Sequence, residues 1–157
     1  MMKVNYHWKF QKLKMKERLD NKLIGFPTIY SVIESNKGVE ILMKANGHNL
    51  KKIITDLPRN KQLSKMTVLK IGVQLIERLK VVHDLGLIHG DIKSANILVG
   101  LEDPTVIYLI DFGVSHAWRM SNGTHIKKYK ESCFIGNSRN GSFNNCRQIV
   151  QSRRDDI

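Results

Sequence analysis

"LIHGDIKSANILVG", residues 87–100, places four polar side chains between two short apolar runs. The four are His89, Asp91, Lys93 and Asn96. Buried polar groups cost free energy unless they are paired. The segment therefore predicts either a tightly hydrogen-bonded turn or a chemical site.

The elements on either side of this segment have the clearest patterns in the chain. Residues 64–84 repeat apolar side chains at intervals of three and four, with Ser64 able to cap a helix and Gly86 able to end it. So wide an apolar stripe predicts a helix that is buried on most sides. After the segment, "NILVG" and "VIYLI" predict two short strands joined by "LEDPT", and "DFG" (111–113) ends the second strand.

The rest of the chain predicts shorter elements. Residues 8–19 have roughly helical apolar spacing with a basic opposite face, which predicts a helix. "LIGFPTIYSVIES" (23–35) and "VEILMKA" (39–45) predict two strands that turn at "NKG". "NGHNLKKIITDLP" (46–58) predicts a short helix stopped by its proline. Beyond residue 114 the chain is rich in Asn, Gly and Ser and predicts loops.

The composition is that of a globular protein, but it does not identify a binding partner. The 157 residues suit one domain, with 41% hydrophobic and 25% charged side chains. The net charge of +12 favours anionic partners: phosphates, acidic peptides, nucleic acid or anionic membranes. Cys133 and Cys146 fit no metal-binding spacing and are interpreted as reduced thiols of a cytoplasmic or nuclear protein. No apolar run suggests a membrane span or a signal peptide.

The order of the polar residues suits phosphoryl transfer. With Asp111 they form H-x-D-x-K-x-x-N followed by D-F-G, which resembles the catalytic loop of protein kinases. Asp91 suits the catalytic base, and Lys93 suits a cation beside the transferred phosphoryl group. Asn96 and Asp111 offer oxygen ligands to Mg²⁺. His89 is interpreted as a structural histidine bonded to the backbone. A chance match in an ordinary polar turn is the alternative.

Residues 24–157 resemble the casein kinase I group of protein kinases, including its vaccinia-related branch. The resemblance is carried by "GFPTIYS", "HGDIKSANILVG", "YLIDFG" and "SRRDD". It implies an α+β, two-lobe protein-kinase fold that is incomplete here, and Ser/Thr kinase activity with ATP and Mg²⁺ on acidic or phosphorylated protein substrates. Residues 1–46 would then be a remnant of the small lobe, with helix C, a hairpin and the hinge. Residues 47–157 would be part of the large lobe, from helix D to the start of helix F.

The same resemblance implies which residues would surround the adenine base of ATP. Met43 would be the gatekeeper, and Lys44 to Asn46 would form the hinge. Leu98 would be the floor of the adenine pocket.

Five further residues take roles from the resemblance. Lys3 and Glu17 have the separation of the family's nucleotide-binding Lys–Glu pair, and a solvated basic helix face is the alternative. Arg139 and His116 would be anion-binding positions for the substrate. Asp156 would brace the catalytic loop from the start of helix F.

The sequence also departs from the family. It contains no Gly-x-Gly-x-x-Gly loop, and Gly90 replaces the usual Arg, so control by a phosphate in the activation loop is not expected. The chain stops at "QSRRDDI", which suggests a cut rather than a finished lobe. A partial lobe would leave apolar surface of the long helix uncovered, with poor solubility or dependence on a partner as the expected result. Very weak activity is expected for the same reasons.

Two other functions remain open at this stage. A pseudokinase could use the lobe as a scaffold that binds nucleotide or protein, although the four catalytic-loop and metal-binding positions are all filled. A nucleic-acid binder would suit the net charge and the lysine-rich N-terminal segment, but no known binding module is present, which disfavours nucleic acid as a partner.

Overall fold

The computed structural model describes residues 24–35, 38–127 and 141–157. These residues form strands β1 (Ile29–Ser35), β2 (Gly38–Met43), β3 (Leu87–Ile88), β4 (Ile97–Val99), β5 (Ile107–Leu109) and β6 (His116–Ala117), and helices α1 (Leu50–Asp56), α2 (Lys65–Asp84) and α3 (Phe143–Cys146). Two 3₁₀ turns cover Ser94–Asn96 and Arg153–Asp156. The predicted α+β class is confirmed. The predicted helix at 8–19 lies outside the described residues, and the division between residues 46 and 47 stays a prediction.

The strands pair as short antiparallel ribbons. In the described part of the chain β1 pairs with β2, β3 with β6, and β4 with β5. Strand β2 ends at Met43, two residues before the end predicted for it. The reason is that the backbone leaves β1 and then bonds to β4. Lys44 N still donates to Thr28 O (2.8 Å), just before β1, whereas Gly47 N donates to Val99 O in β4 (2.9 Å).

Helix α2 begins and ends as predicted. Ser64 Oγ accepts a hydrogen bond from Thr67 N (3.0 Å), which satisfies one of the free amides of the first turn. At the other end Gly86 has a φ of +83°, the left-handed conformation that glycine adopts without strain.

The core lies under the C-terminal half of α2. Leu79 and Val82 pack with apolar residues of β3, β4 and β5 and with Phe26 and Leu50.

The prediction that α2 is buried on most sides is wrong. Its buried residues are Arg78, Leu79, Val82 and His83. One apolar face of the helix is uncovered in the described structure, since Met66, Leu69, Val73 and Ile76 are 59–63% exposed, whereas Ile71 and Leu75 on another face pack against the core. The uncovered apolar surface expected of a partial lobe is therefore present.

The C-terminal segment is more ordered than its Asn-, Gly- and Ser-rich sequence predicted. Asp155 accepts hydrogen bonds from Ser142 Oγ (2.7 Å), Asn144 Nδ2 (2.8 Å) and Ser152 N (2.7 Å). These bonds tie the start of α3 to the last 3₁₀ turn. The prediction of loops beyond residue 114 is thus wrong at β6 and α3, because side-chain hydrogen bonds stabilise elements that lack an apolar pattern.

Gly25 lies against the side chain of Arg78. Its φ is +90°, and a Cβ atom at this position would lie 1.8 Å from Arg78 Nε. Arg78 cannot easily move away, because its guanidinium donates to Glu77 Oε2 (2.9 Å) and Gln74 Oε1 (3.2 Å). The carbonyl of Gly25 also accepts from Leu109 N (2.9 Å), so the backbone is held to β5.

We expect Gly25→Ala to lower the free energy of unfolding by about 2–3 kcal/mol, because it combines a strained backbone with overpacking. The matched control is Gly72→Ala inside α2, where no atom lies within 4 Å of the added methyl group. That change should raise stability by about 0.5–1 kcal/mol through helix propensity. Urea unfolding of both variants measures the difference, and equal effects would contradict the close packing at Gly25.

No helix in the parts of the chain described above is long and apolar enough to cross a membrane.

Candidate active site

The polar segment forms a loop between β3 and β4, and both of its ends are fixed. At the start, Ile88 pairs with His116 of β6, and Ser115 Oγ donates to His89 O (3.1 Å). At the end, Asn96 O accepts from Ile110 N (3.0 Å), directly after β5. The side chains of the loop are thus carried by short strands that the core buries.

Asp91, Lys93 and Asn96 meet in this loop. Asn96 Nδ2 donates to Asp91 O (2.9 Å) and to Asp91 Oδ2 (3.0 Å). Lys93 Nζ forms an ion pair with the same carboxylate oxygen, Asp91 Oδ2. The Asp91 side chain is 10% exposed and that of Lys93 is 25% exposed, so the pair is partly shielded from water. The carboxylate is therefore held in one orientation, with Oδ1 outside these contacts.

His89 is a buried structural residue of the loop. Its Nε2 lies 3.0 Å from Ile110 O, which can only accept, so Nε2 carries the hydrogen. Its Nδ1 accepts from Asp91 N (3.2 Å). Both ring nitrogens are thus paired in the neutral tautomer. Burial lowers the pKa of His89 below its usual value, against a weaker opposing effect of the hydrogen bond to Ile110.

The lowered pKa of His89 predicts a pH dependence of folding. The unfolded chain takes up a proton near pH 6.5 while the folded chain resists it, so the stabilisation is complete above that pH and is lost as pH falls. The unaltered chain should have a lower free energy of unfolding at pH 5.5 than at pH 7.5. We expect this difference to be about 1 kcal/mol smaller in His89→Gln. Urea unfolding at the two pH values measures this. The control is His48→Gln at an exposed position, and an unchanged pH dependence in His89→Gln would contradict the assignment.

Asp156 joins the loop to the end of α2. Its Oδ1 accepts from Gly90 N (2.8 Å), and its Oδ2 accepts from His89 N (2.8 Å) and lies 2.9 Å from His83 Nε2. The Asp156 side chain is 1% exposed. Trp118 Nε1 in turn donates to His83 O (3.0 Å). A buried carboxylate therefore fixes the two residues immediately before Asp91.

Asp111 lies beside this group, two residues after the end of β5. Its neighbour Ile110 bonds to both Asn96 and His89, and the ring of Phe112 packs against His89 at a centroid distance of 4.7 Å. Asp111 has a φ of +65°. Such a conformation is uncommon outside glycine and is concentrated at functional sites. The Asp111 carboxylate is exposed and accepts from Gly113 N (3.3 Å), without a direct hydrogen bond to Asp91 or Asn96 in the described structure.

The donor set of Asn96 and Asp111 fits a hard cation. Asn96 uses its Nδ2 for Asp91, which leaves Oδ1 without a hydrogen-bond donor among the described residues. Asp111 adds an exposed carboxylate. Amide and carboxylate oxygens are the ligands that Mg²⁺ prefers. No group of three His, Cys, Asp or Glu side chains that could hold a metal occurs in the described residues.

Leu98 lies in β4, and the residues directly after the candidate hinge contact this strand. His48 O accepts from Val99 N (3.0 Å), and Asn49 forms a bridge with Leu98. Met43 ends β2, and Asn46 Nδ2 donates to Lys44 O (3.3 Å). Lys44 Nζ bonds to Glu102 (2.8 Å), and this hydrogen bond raises the pKa of Lys44. The chain directly after the candidate hinge is thus bonded to β4, which follows Asn96, and the adenine-binding role of these positions stays a prediction.

Of the other predicted residues the structure describes His116, which lies beside the start of the loop. His116 pairs with Ile88 through its backbone, and its Nδ1 donates to Val114 O (3.2 Å). Lys3, Glu17 and Arg139 lie outside the described residues, and their predicted roles stay predictions.

Sequence reasoning missed several residues that hold the site. They are His83, Ser115 and Asp155. His83 carried the only local signal, since a histidine in the last turn of a helix complements the helix dipole. The others make long-range contacts that no short pattern reveals.

The chain is similar in sequence to known protein kinases. The model of the protein kinase domain matches residues 11–134. Human serine/threonine-protein kinase VRK2 is 32% identical over 151 residues, which cover 92% of this chain and 29% of that protein. A probable serine/threonine-protein kinase of Dictyostelium discoideum is 36% identical over 124 residues, which cover 74% of this chain and 24% of that protein.

The chain thus spans less than a third of the length of either relative. Its mixed helices and strands are consistent with an incomplete two-lobe kinase fold. The family match covers most of the sequence, including the loop and Asp111. The chain belongs to the protein kinase domain family.

Proposed function

We propose that this chain contributes the catalytic loop of a serine/threonine protein kinase of the casein kinase I group, which transfers the γ-phosphate of ATP to Ser or Thr. The observation that carries the proposal is the Asp91 carboxylate, oriented by Asn96 and Lys93. Two relatives bearing the name serine/threonine-protein kinase support the type of substrate residue.

Each residue of the site then has a chemical task. Asp91 orients the attacking hydroxyl group and accepts its proton. Lys93, whose ammonium group lies beside Asp91, stabilises charge on the transferred phosphoryl group. Asn96 Oδ1 and the Asp111 carboxylate would hold Mg²⁺, which supplies neutralising charge to the phosphates when it is bound. His89 and Asp156 position the loop and do not touch the reacting atoms.

We propose acidic or phosphorylated proteins as the substrates. The net charge of +12 favours such partners, and His116 and Arg139 are the candidate anion-binding residues.

We also propose that the protein acts in the cytoplasm or nucleus, which the exposed free thiol of Cys146 supports. A scaffold that binds a protein partner is the second candidate, and the exposed apolar face of α2 favours it.

Nucleotide binding separates the two candidates. At a Mg·ATP concentration ten times the dissociation constant, binding should stabilise the chain by about 1.4 kcal/mol and raise the melting temperature by about 3–5 °C. Omitting Mg²⁺ or changing Asp111 to Ala should remove most of the shift. The matched control Asp103→Ala, an exposed acid on the β4–β5 loop, should keep it. A melting temperature unchanged at millimolar Mg·ATP would favour the scaffold.

A further inference from the structure

Two arginines lie against the indole ring of Trp118. Arg153 Cζ is 4.1 Å from the ring centre, and Arg119 Cζ is 5.2 Å from it. Trp118 is 8% exposed, its Nε1 donates to His83 O (3.0 Å), and its backbone N donates to Gly86 O (3.1 Å). A buried and hydrogen-bonded ring thus holds two guanidinium groups in place through cation–π contacts.

The guanidinium groups of these arginines keep most of their donors unused. That of Arg153 makes no hydrogen bond or ion pair with any described residue. Arg119 donates from one amino group to Asp84 O and has no carboxylate partner among the described residues. A guanidinium has five N–H donors, and contact with a ring face uses none of them. The remaining donors are therefore available to an acceptor that the chain itself does not supply in the described structure.

The acids in the neighbourhood are already paired. Asp84, whose carbonyl accepts from Arg119, bonds to Lys80 Nζ through its carboxylate (2.6 Å). The side chains of Asp155 and Asp156 in the last 3₁₀ turn are 3% and 1% exposed, and both accept the buried hydrogen bonds described above. The charges of the two arginines are thus not neutralised by ion pairs within the described structure.

The two arginines belong to separate parts of the chain. Arg119 lies shortly after β6, and Arg153 begins the last 3₁₀ turn. His125 also joins these parts: its Nδ1 is 2.6 Å from Ile126 O, which can only accept, so its Nε2 accepts from Ser152 Oγ (2.9 Å). An anion bound by both arginines would add a second link between the segment after β6 and the turn that braces the catalytic loop.

The donors favour a phosphate group over other anions. Phosphate offers at least three acceptor oxygens and up to two negative charges, and arginine binds it through paired hydrogen bonds. A carboxylate has two oxygens and one charge, so it meets the needs of two guanidinium groups less well. A single-stranded nucleic acid has less support, because Trp118 is too buried to stack on a base.

We propose that Arg119 and Arg153 form a binding site for a phosphate group, either free phosphate or the phosphate of a phosphorylated side chain. The contacts that build the site do not include the candidate catalytic residues, so it is distinct from the active site.

Titration of the full chain with sodium phosphate tests the site. The ¹⁵N–¹H signal of Trp118 Nε1 reports binding, and Trp8→Phe removes the other indole signal of the chain. Ionic strength is held constant, because salt screens exposed charges. We expect a saturable shift with a dissociation constant of about 1–10 mM, as suits so small a ligand, and at least about fivefold weaker binding of acetate. No saturable shift with phosphate, or equal binding of acetate, would overturn the proposal.

A short phosphoserine peptide and its unphosphorylated form distinguish the two sources of phosphate. Tighter binding of the phosphopeptide than of inorganic phosphate would assign the site to phosphorylated proteins. Equal or weaker binding would support the site and assign it to free phosphate. A thymidine oligonucleotide that shifts the Trp118 signal at lower concentration than either ligand would contradict the choice of a phosphate monoester.

Variants give an independent test. Arg153→Gln removes an unpaired guanidinium and should weaken phosphate binding at least about tenfold. The matched control is Arg147→Gln, which removes the same charge from a guanidinium 4.2 Å from the centre of a single ring, that of Phe143. The control should bind phosphate within about twofold of the unaltered chain. Equal weakening in both variants would show that net charge alone attracts phosphate and would refute a specific site.

The comparison of phosphate with acetate on the unaltered chain decides the question even if Arg153→Gln does not fold. None of these measurements requires phosphoryl transfer or nucleotide, so the proposal can fail or succeed independently of the proposed function.

Discussion

Asp91→Asn is expected to lower the rate of phosphoryl transfer by about 10²–10⁴-fold, the usual contribution of a positioned general base. Asparagine keeps the shape of the side chain and can still accept from Asn96, but it cannot take up the proton of the attacking hydroxyl group. It also removes the ionic partner of Lys93. The measurement is transfer of radiolabelled phosphate from ATP to a casein-like acidic protein.

The matched control for Asp91→Asn is Asp103→Asn. Asp103 is an exposed acid whose carboxylate accepts from Thr105 N (2.9 Å) and Thr105 Oγ1 (2.6 Å). This change should leave the rate of transfer within about twofold, because a surface substitution away from the site perturbs little. Because the unaltered chain is expected to transfer phosphate only weakly, the comparison needs long incubation at high enzyme concentration. Transfer by Asp91→Asn at the unaltered rate would refute the role of Asp91.

Asp156→Ala is expected to lower the free energy of unfolding by about 3–5 kcal/mol, the cost of breaking a buried charged contact from one side. The change leaves His89 N, Gly90 N and His83 Nε2 buried without their acceptor. Since small domains are stable by only about 5–15 kcal/mol, much of the population should then be unfolded or locally open. Urea unfolding followed by circular dichroism measures the loss.

The matched control for Asp156→Ala is Asp56→Ala. Asp56 pairs with Lys52 at 2.8 Å on the surface of α1, with both side chains more than half exposed. Its removal should cost only about 0.3–0.5 kcal/mol. Similar losses in the two variants would show that Asp156 does not brace the loop.

Local sequence was enough to predict the loop residues and the ends of α2. Asp91, Lys93 and Asn96 lie within six consecutive residues. Ser64 and Gly86 each affect only the helix turn next to them. The role of Asp156 was predicted from the resemblance to the family, whereas the sequence did not indicate that His83 would be its partner. The two lie 73 residues apart, and only the folded chain brings them together.

The errors of prediction have physical causes as well. The stripe on α2 shows which residues are apolar but not which element covers them, so its exposed face could not be predicted. At the C-terminal segment the stabilising groups are Asp155, Ser142 and Asn144, whose side-chain bonds have no periodic signature. The left-handed conformation of Asp111 likewise depends on contacts of Ile110 and Phe112 on either side.

The bonds from Asp156 to His89 and Gly90 span 67 and 66 residues of chain. A ribosome makes the loop first and its acceptor much later, so these two amides are hydrated while most of the intervening chain is being synthesised. Nascent chains stopped before residue 156 would already contain α2 and β3 to β6, yet would lack the fixed backbone before Asp91. Assembly of the loop therefore waits until residue 156 has been synthesised.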